Sequence, residues 1–263
     1  VEISKPGGPE VLKLVERPMP EPKAGEVVIK VSAAGVNRPD ILQRLGRYPA
    51  PPGASDILGL EVAGEVDQVG DGVSRWSVGD RVCALLGGGG YAEYVSVPAG
   101  QVLPKPDNWS FIEAASLPET YFTLQQTLVE RAGLAEGMTV LIHGGAGGIG
   151  ATAIQIVRLY GATPIVTVSA PEKADYARKL GAAHTIDYTT EDFVERTKAL
   201  TNGRGADIII DIIGATCAGE MVPARACLRS ALAASAMTMP GAARSSRSMI
   251  AAARSTCVPG TAQ

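Results

Sequence analysis

Short runs rich in β-branched residues, each bounded by glycine or proline, dominate the chain up to Ser110. Such runs predict many short strands and favour a β-barrel or β-sandwich. The predicted strands are Val11–Val15, Val27–Val31, Val62–Val69, Arg81–Leu85 and Tyr91–Val97.

Beyond Ser110 the pattern changes to helices that alternate with strands. The predicted helices are Phe111–Ser116, Tyr121–Arg131, Gly147–Tyr160, Pro171–Leu180 and Glu191–Leu200. The predicted strands are Met138–His143, Pro164–Val168, His184–Asp187 and Ala206–Ile213. Because alternation of this kind builds a parallel sheet from βαβ units, we predict an α/β protein. Its β-rich domain is expected at residues 1–117 and its parallel-sheet domain at residues 118–214.

The C-terminal tail, residues 215–263, differs in composition from the rest of the chain. It contains fourteen alanines, five arginines and one glutamate, and it has no lysine, aspartate or aromatic residue. Arg225–Met237 could form a helix, but no regular period marks a face for a core. We interpret the tail as disordered or irregular, with a cationic binding segment as the alternative.

Composition excludes several classes of protein. Of the 263 residues, 46% are apolar and 19% are charged, so the chain can bury a substantial core. The net charge of −3 gives no basic surplus for nucleic acid or an anionic membrane. No apolar run reaches the roughly 18 to 20 residues that span a bilayer, and the start does not resemble a signal peptide. We therefore expect a cytoplasmic protein.

The cysteines and histidines do not form a zinc pattern. They are Cys83, Cys217, Cys227, Cys257, His143 and His184. Since no two cysteines have C-x-x-C spacing, neither a structural zinc site nor a disulfide framework is expected.

A glycine-rich loop is the sharpest motif. It reads Gly145-Ala146-Gly147-Gly148-Ile149-Gly150, after an apolar strand and at the start of a predicted helix. This context predicts a dinucleotide-binding turn, and an ordinary strand–helix turn is the alternative. We expect Gly145 to permit the tight turn, Gly147 to let a pyrophosphate approach, and Gly150 to let the helix pack on the strand.

The residues after the next strand favour NADPH over NADH. An NAD site usually places an acidic side chain there, to hydrogen-bond the ribose 2′-hydroxyl. This chain has Ser169 instead, with Lys173 four residues later, and a hydroxyl with an ammonium group suits a 2′-phosphate. Glu172 would point to solvent. An exposed lysine on a helix face is the alternative for Lys173.

Several motifs together resemble one superfamily. They are Leu58-Gly-Leu-Glu-Val-Ala-Gly64, Gly79-Asp-Arg-Val82, Gly90-Tyr-Ala-Glu-Tyr-Val95 and His143-Gly-Gly-Ala-Gly-Gly-Ile-Gly150. They resemble the medium-chain dehydrogenase/reductase superfamily, and Ala34-Gly-Val-Asn-Arg-Pro-Asp40 resembles its quinone oxidoreductase branch, the relatives of zeta-crystallin. The resemblance implies a GroES-like catalytic domain and a Rossmann domain. It also implies an NADPH-dependent reductase of a quinone or a related electrophile.

Two positions distinguish this chain from the zinc alcohol dehydrogenases of the superfamily. Asn37 stands where those enzymes have a cysteine ligand, and Leu60 stands where they have a histidine before the glutamate. The resemblance therefore implies the zinc-free branch, with no metal site.

The resemblance also suggests roles for four side chains. It implies that Asn37 and Tyr48 line the nicotinamide and quinone pocket, that Thr123 contacts the nicotinamide, and that Tyr188 packs near the 2′-phosphate. Asn37 could instead cap a helix that starts near Arg38, Tyr48 could anchor a loop, and Thr123 could be a buried helix residue.

The resemblance is expected to stop at Gly214. We then expect two of six parallel strands to be missing, so that Ala206–Ile213 becomes an exposed sheet edge and the family-type homodimer does not form. Two alternatives to a quinone reductase remain open. One is a truncated or frameshifted remnant that only binds nucleotide, and the other is a reductase of enones or enoyl thioesters.

Overall fold

The computed structural model describes residues 1–213 and 226–229, which fall into two compact units. Unit 1 comprises Val1–Glu119, and unit 2 begins at Thr120. In the described part of the chain no helix has both the length and the apolar character needed to cross a membrane.

Unit 1 is β-rich. Its strands are β1 (Glu2–Ile3), β2 (Leu12–Lys13), β3 (Glu26–Ala34), β4 (Glu61–Val69), β5 (Arg81–Leu85), β6 (Tyr94–Pro98) and β7 (Val102–Pro104). Its helices are α1 (Arg38–Arg44) and α2 (Phe111–Ala115), with short 3₁₀ turns at Pro9–Val11 and Ala99–Gln101. Strands β6-β3-β4-β5-β7 form an antiparallel sheet in that order, and β1 pairs with β2. The predicted β-rich fold of this region is confirmed.

The apolar core cluster of unit 1 contains Val27, Ile29 and Val62, which are all fully buried. The pairing of β3 with β4 is irregular at two points and brings backbones close together. A Cβ on Gly64 would lie 2.0 Å from the Lys30 carbonyl oxygen, so only glycine fits there.

Unit 2 is a parallel sheet with helical connections. Its strands are β8 (Thr139–His143), β9 (Thr163–Val168), β10 (His184–Asp187), β11 (Ile208–Asp211) and β12 (Ala226–Arg229). Its helices are α4 (Gly148–Leu159), α5 (Pro171–Leu180) and α6 (Phe193–Leu200). Helix α3 (Pro118–Leu124) begins at the end of unit 1 and continues as a π-helical segment, Gln125–Arg131. The strand order is β10-β9-β8-β11-β12, with every pair parallel.

Alternate residues of the central strands face opposite sides of the parallel sheet, as the two-residue period of a strand requires. In β8, Val140 and Ile142 join the larger apolar cluster with helices α4 and α5. Leu141, between them, joins a second cluster that contains Phe193 of α6. Because both faces are covered, these strands consist of nearly continuous apolar runs.

The predicted exposed edge at Ala206–Ile213 is wrong. Strand β12 pairs in parallel with β11, with Ile208 opposite Ala226 and Asp211 opposite Arg229. The tail thus supplies a fifth strand at residues that we had interpreted as disordered or irregular. An outer strand can be held by backbone hydrogen bonds to one neighbour, so it does not need the valine-rich sequence of a central strand. The other residues of the predicted tail lie outside the described residues.

The beginning of the chain also differs from prediction. Only Leu12–Lys13 of the predicted strand Val11–Val15 pairs with another strand, and Leu14 is 89% exposed. Strand β7 did not appear among the predicted elements, and helix α1 appeared only as the alternative in which Asn37 caps a helix near Arg38, because fewer than eight residues give little periodicity.

Candidate functional site

The glycine loop connects β8 to α4 and is built around close backbone contacts. The positive φ of the turn, +73°, is at Gly144 and not at Gly145, which corrects our expectation. Gly145 is needed for packing, because its Cβ would lie 2.6 Å from Cβ of Val166. A Cβ on Gly150 would lie 2.3 Å from the Gly144 carbonyl oxygen, so this glycine lets α4 pack on the strand as predicted.

Gly147 and Gly148 differ from the other loop glycines because both are exposed. A Cβ on Gly147 would meet only the Gly144 oxygen, at 3.5 Å. Protein packing therefore does not explain a glycine at this position, whereas a close ligand does. The first N–H groups of α4 have no partners within the helix, and the helix dipole favours an anion there. Ala146 and Ile149 are partly buried. The loop thus fits a pyrophosphate.

The predicted 2′-phosphate residues follow the neighbouring strands β9 and β10. The Lys173 ammonium donates a hydrogen bond to Oγ of Ser169 at 2.9 Å, and Lys173 is exposed at the start of α5. Tyr188 follows β10, its N–H donates to the Val168 carbonyl at 3.2 Å, and its side chain is 48% exposed. All three residues therefore lie at the carboxyl edge of neighbouring strands, where nucleotides bind in sheets of this type.

His143, at the end of β8, is a structural residue. Its Nδ1 lies 3.1 Å from Oγ1 of Thr167, and its ring meets Phe193 edge-on at 5.0 Å. Burial lowers the pKa of His143. Since the ring is neutral and packed, we assign it no role in proton transfer.

In unit 1, Asn37 is the N-cap residue of α1, as the alternative interpretation held. Its side chain, however, is directed to a partner elsewhere, because Nδ2 donates to Oε1 of Glu61 at 2.9 Å. Tyr48 is partly buried, four residues beyond the end of the helix. Thr123 is partly buried within α3, where its carbonyl accepts a hydrogen bond from the Thr127 hydroxyl at 2.7 Å.

Asp40 is a buried carboxylate that our sequence analysis did not single out. It is 3% exposed, and Oδ2 accepts hydrogen bonds from the Asn37 N–H at 2.7 Å and the Tyr91 hydroxyl at 2.9 Å. The Gly59 N–H donates to Oδ1 at 3.2 Å. Burial and the charge of Asp40 raise the pKa of Tyr91, so the phenol keeps its proton and remains a donor.

Glu61 and Glu119 are two further acidic residues close to Asp40. Glu61 is 3% exposed and accepts the backbone N–H of Glu119 on Oε2 at 2.9 Å. Burial raises the pKa of Glu61, and its hydrogen bonds to Glu119 and Asn37 oppose that rise. Burial, and then repulsion from Glu61 and Asp40, raise the pKa of Glu119 to about 7. The signal in the sequence was a single charge inside the apolar run Leu58–Gly64.

No three His, Cys, Asp or Glu side chains among the described residues are arranged to hold a metal ion. Burial raises the pKa of the Cys83 thiol to about 12, so this cysteine is neither a thiolate ligand nor a nucleophile.

Two family models match the chain. The alcohol dehydrogenase GroES-like domain matches residues 23–107, and the zinc-binding dehydrogenase domain matches residues 148–231. The second match continues past Gly214 to residue 231, so the resemblance extends further than we expected, and neither family model matches residues 232–263.

Several of the similar proteins are reductases. A quinone oxidoreductase of Pseudomonas aeruginosa is 39% identical over 215 residues, which are 81% of this chain and 66% of that protein. A 2-haloacrylate reductase of Burkholderia is 39% identical over 81% of this chain and 65% of its own length. The crystal structure of Escherichia coli quinone oxidoreductase complexed with NADPH is 34% identical, with a TM-score of 0.71, over 81% of this chain and 65% of that one.

The chain belongs to the zinc-free quinone oxidoreductase branch of the medium-chain dehydrogenase/reductase superfamily. This member of the branch spans about two thirds of the length of the quinone oxidoreductases that it matches. Its two matched segments fall in unit 1 and in unit 2, and the second begins within the glycine loop.

Proposed function

We propose that this chain is an NADPH-dependent quinone oxidoreductase that works without a bound zinc ion. The observation that carries the proposal is the open Gly147 at the start of α4, with the Lys173–Ser169 pair after the next strand. Similar proteins support it, since they include quinone oxidoreductases and one of these is complexed with NADPH. The cytoplasmic location stays a prediction.

The residues of unit 2 would bind and orient the cofactor. NADPH supplies the hydride when it is bound. The first N–H groups of α4 would hold the pyrophosphate, and Lys173 with Ser169 would hold the 2′-phosphate by charge and by hydrogen bond. Tyr188 would pack beside this phosphate, and Thr123 would contact the nicotinamide.

Asn37 and Tyr48 of unit 1 would act on the substrate. A quinone carbonyl oxygen gains negative charge during reduction, so a donor directed at it stabilises the transition state. The Asn37 amide and the Tyr48 hydroxyl are such donors. No strong general acid is needed, because a hydroquinone anion takes its proton from water.

Replacing Lys173 with glutamate is expected to weaken NADPH binding about tenfold and to leave NADH binding nearly unchanged. The exchange puts a carboxylate where the 2′-phosphate would lie. Fluorescence titration with both cofactors measures the effect. Lys179→Glu makes the same charge change at the far end of α5 and should alter neither affinity. Equal affinities of the parent protein for NADPH and NADH would contradict the assignment.

Chelator treatment is expected to leave quinone reduction unchanged. The positions of the zinc ligands in zinc alcohol dehydrogenases hold an amide at Asn37 and a hydrocarbon at Leu60, which do not replace a thiolate and an imidazole. Elemental analysis of the purified protein gives an independent answer. One tightly bound zinc per chain would exclude the zinc-free mechanism.

Two other functions are supported by single observations. The similarity to a 2-haloacrylate reductase favours reduction of an activated double bond, which would use the same donors. Nucleotide binding without turnover is favoured because neither family model matches beyond residue 231. Assays with a quinone, an enone and an enoyl thioester, together with the NADPH titration, separate all three.

A further inference from the structure

The Asn37 side chain is held by a carboxylate that the proposed mechanism does not use. Oε1 of Glu61 accepts the hydrogen bond from Nδ2 of Asn37, and Oε2 accepts the one from the Glu119 backbone, each at 2.9 Å. Glu61 is 3% exposed, so water does not compete strongly for these bonds. The carboxylate is therefore fixed between two donors on different segments of the chain.

This arrangement determines which way the Asn37 amide faces. If the amide turned over, Oδ1 would face Oε1 of Glu61, and two acceptors would be opposed without a hydrogen between them. Nδ2 must therefore face Glu61, which uses one of its two hydrogens. No acceptor for the second hydrogen is found in the part of the chain that the structure describes.

The backbone beside Asn37 is shaped around the same carboxylate. A Cβ on Gly35 would lie 2.1 Å from Oε1 of Glu61 and 2.6 Å from its Cδ. The Gly35 N–H also donates to the Glu61 carbonyl at 3.2 Å. Gly35 and Asn37 of the Ala-Gly-Val-Asn motif thus serve one partner, since the glycine makes room for the carboxylate and the asparagine binds it.

We propose that Glu61 is the positioning residue for Asn37: its carboxylate fixes the amide so that the second Nδ2 hydrogen is presented to the substrate oxygen. The proposal rests on the proposed function, in which Asn37 donates to the reacting carbonyl. Glu61 itself touches no substrate. Asp40 accepts the backbone N–H of Asn37, and its own N–H faces the Asn37 side chain in the capping box of α1.

The first test is the variant Glu61→Gln. A glutamine at this position accepts the Glu119 N–H on its oxygen and presents its own amide hydrogens to Asn37, whose amide must then turn over. All buried groups stay paired, so we expect the fold to be retained and the donor to be displaced. We expect kcat to fall about tenfold, the loss of one well-placed hydrogen bond, with little change in KM. Glu65→Gln, on the exposed side of β4, is the matched control.

A double-mutant cycle with Asn37→Ala tests whether Glu61 acts through Asn37. We expect Glu61→Gln to lower kcat in the parent protein and to have no further effect once Asn37 is alanine. A merely structural role would lower kcat by the same factor in both backgrounds. The proposal would be overturned if the two substitutions lowered kcat by factors that multiply, or if Glu61→Gln left kcat unchanged.

A measurement that requires no turnover tests the inference independently of the proposed function. The side-chain amide signals of Asn37 are assigned in the nitrogen–proton NMR spectrum of the cofactor-free protein by their loss in Asn37→Ala. We expect two widely separated proton shifts in the parent, one shifted by the carboxylate, and a clear change in Glu61→Gln. Identical signals in both proteins would overturn the positioning role. If the signals change but no quinone or enone is reduced by the parent, the proposed function fails and the Glu61–Asn37 contact stands.

Discussion

Gly150→Ala is expected to destabilise unit 2 by about 3 kcal/mol, because the added methyl group has no room. Its Cβ would lie 2.3 Å from the Gly144 carbonyl oxygen and 2.8 Å from Cα of Gly145. Both atoms belong to the backbone of a buried turn, so they cannot rotate away as a side chain would. Urea unfolding followed by far-ultraviolet circular dichroism measures the loss.

Gly147→Ala is the matched variant in the same loop. Its Cβ would make an ordinary contact of 3.5 Å with the Gly144 oxygen, at an unstrained φ of −80°. We therefore expect a loss of only about 1 kcal/mol, since alanine is a poorer N-cap than glycine, together with NADPH binding weakened at least about tenfold, because the methyl group occupies the space a pyrophosphate needs. Normal NADPH binding by this variant would show that the loop is not the phosphate site. Normal stability of Gly150→Ala would show that the turn at Gly144 and Gly145 leaves room for a Cβ on residue 150.

The nucleotide loop was predictable because its chemistry is local. A strand, a turn and a helix start lie within one short stretch, and the spacing of the glycines carries the packing information. The one incorrect prediction for this loop also concerned local backbone conformation. Sequence alone does not tell which of two adjacent glycines takes the positive φ, and here Gly144 does so while Gly145 makes room for Val166.

The acidic network around Asn37 could not be assembled from the sequence. Asp40 precedes Tyr91 by 51 residues, and Glu61 precedes Glu119 by 58, so only the folded sheet and loops bring them together. The available hint was Glu61 within an apolar run. A charge at a buried strand position must find a partner, since leaving it unpaired is costly, but the partner's identity depends on tertiary structure.

Strand β12 shows a different limit of prediction from sequence. We judged the tail by composition, and Ala226–Arg229 contains neither a β-branched nor an aromatic residue. Pairing with β11 was decided by the open N–H and C=O groups of that strand, which any residue other than proline can meet. The strand propensity of the residues thus predicts the central strands of a sheet better than its outer strands.

The stability of unit 1 is expected to fall as the pH rises from about 5 to about 8, through the titration of Glu119. The pKa of this carboxyl is raised from its ordinary value of 4.5 to about 7, first by burial and then by repulsion from Glu61 and Asp40. In this window the folded protein binds a proton that the unfolded chain has released. Proton binding therefore stabilises the fold at low pH, and this contribution is lost as Glu119 ionises near pH 7. The shift corresponds to about 3 kcal/mol at most.

Glu119→Gln isolates this effect because it removes the ionisation and keeps the backbone N–H that Glu61 accepts. We expect the variant to show a much flatter dependence of unfolding free energy on pH, and to be more stable than the parent above about pH 7. Both tryptophans, Trp76 and Trp109, lie in unit 1, so urea unfolding followed by their fluorescence reports on this unit. Glu113→Gln is the control, since the pKa of Glu113 is lowered by hydrogen bonds from Ser110 rather than raised. If the parent gained stability over the same window, or if Glu119→Gln kept the parental slope, Glu119 would not be the carboxyl that holds a proton in the folded protein.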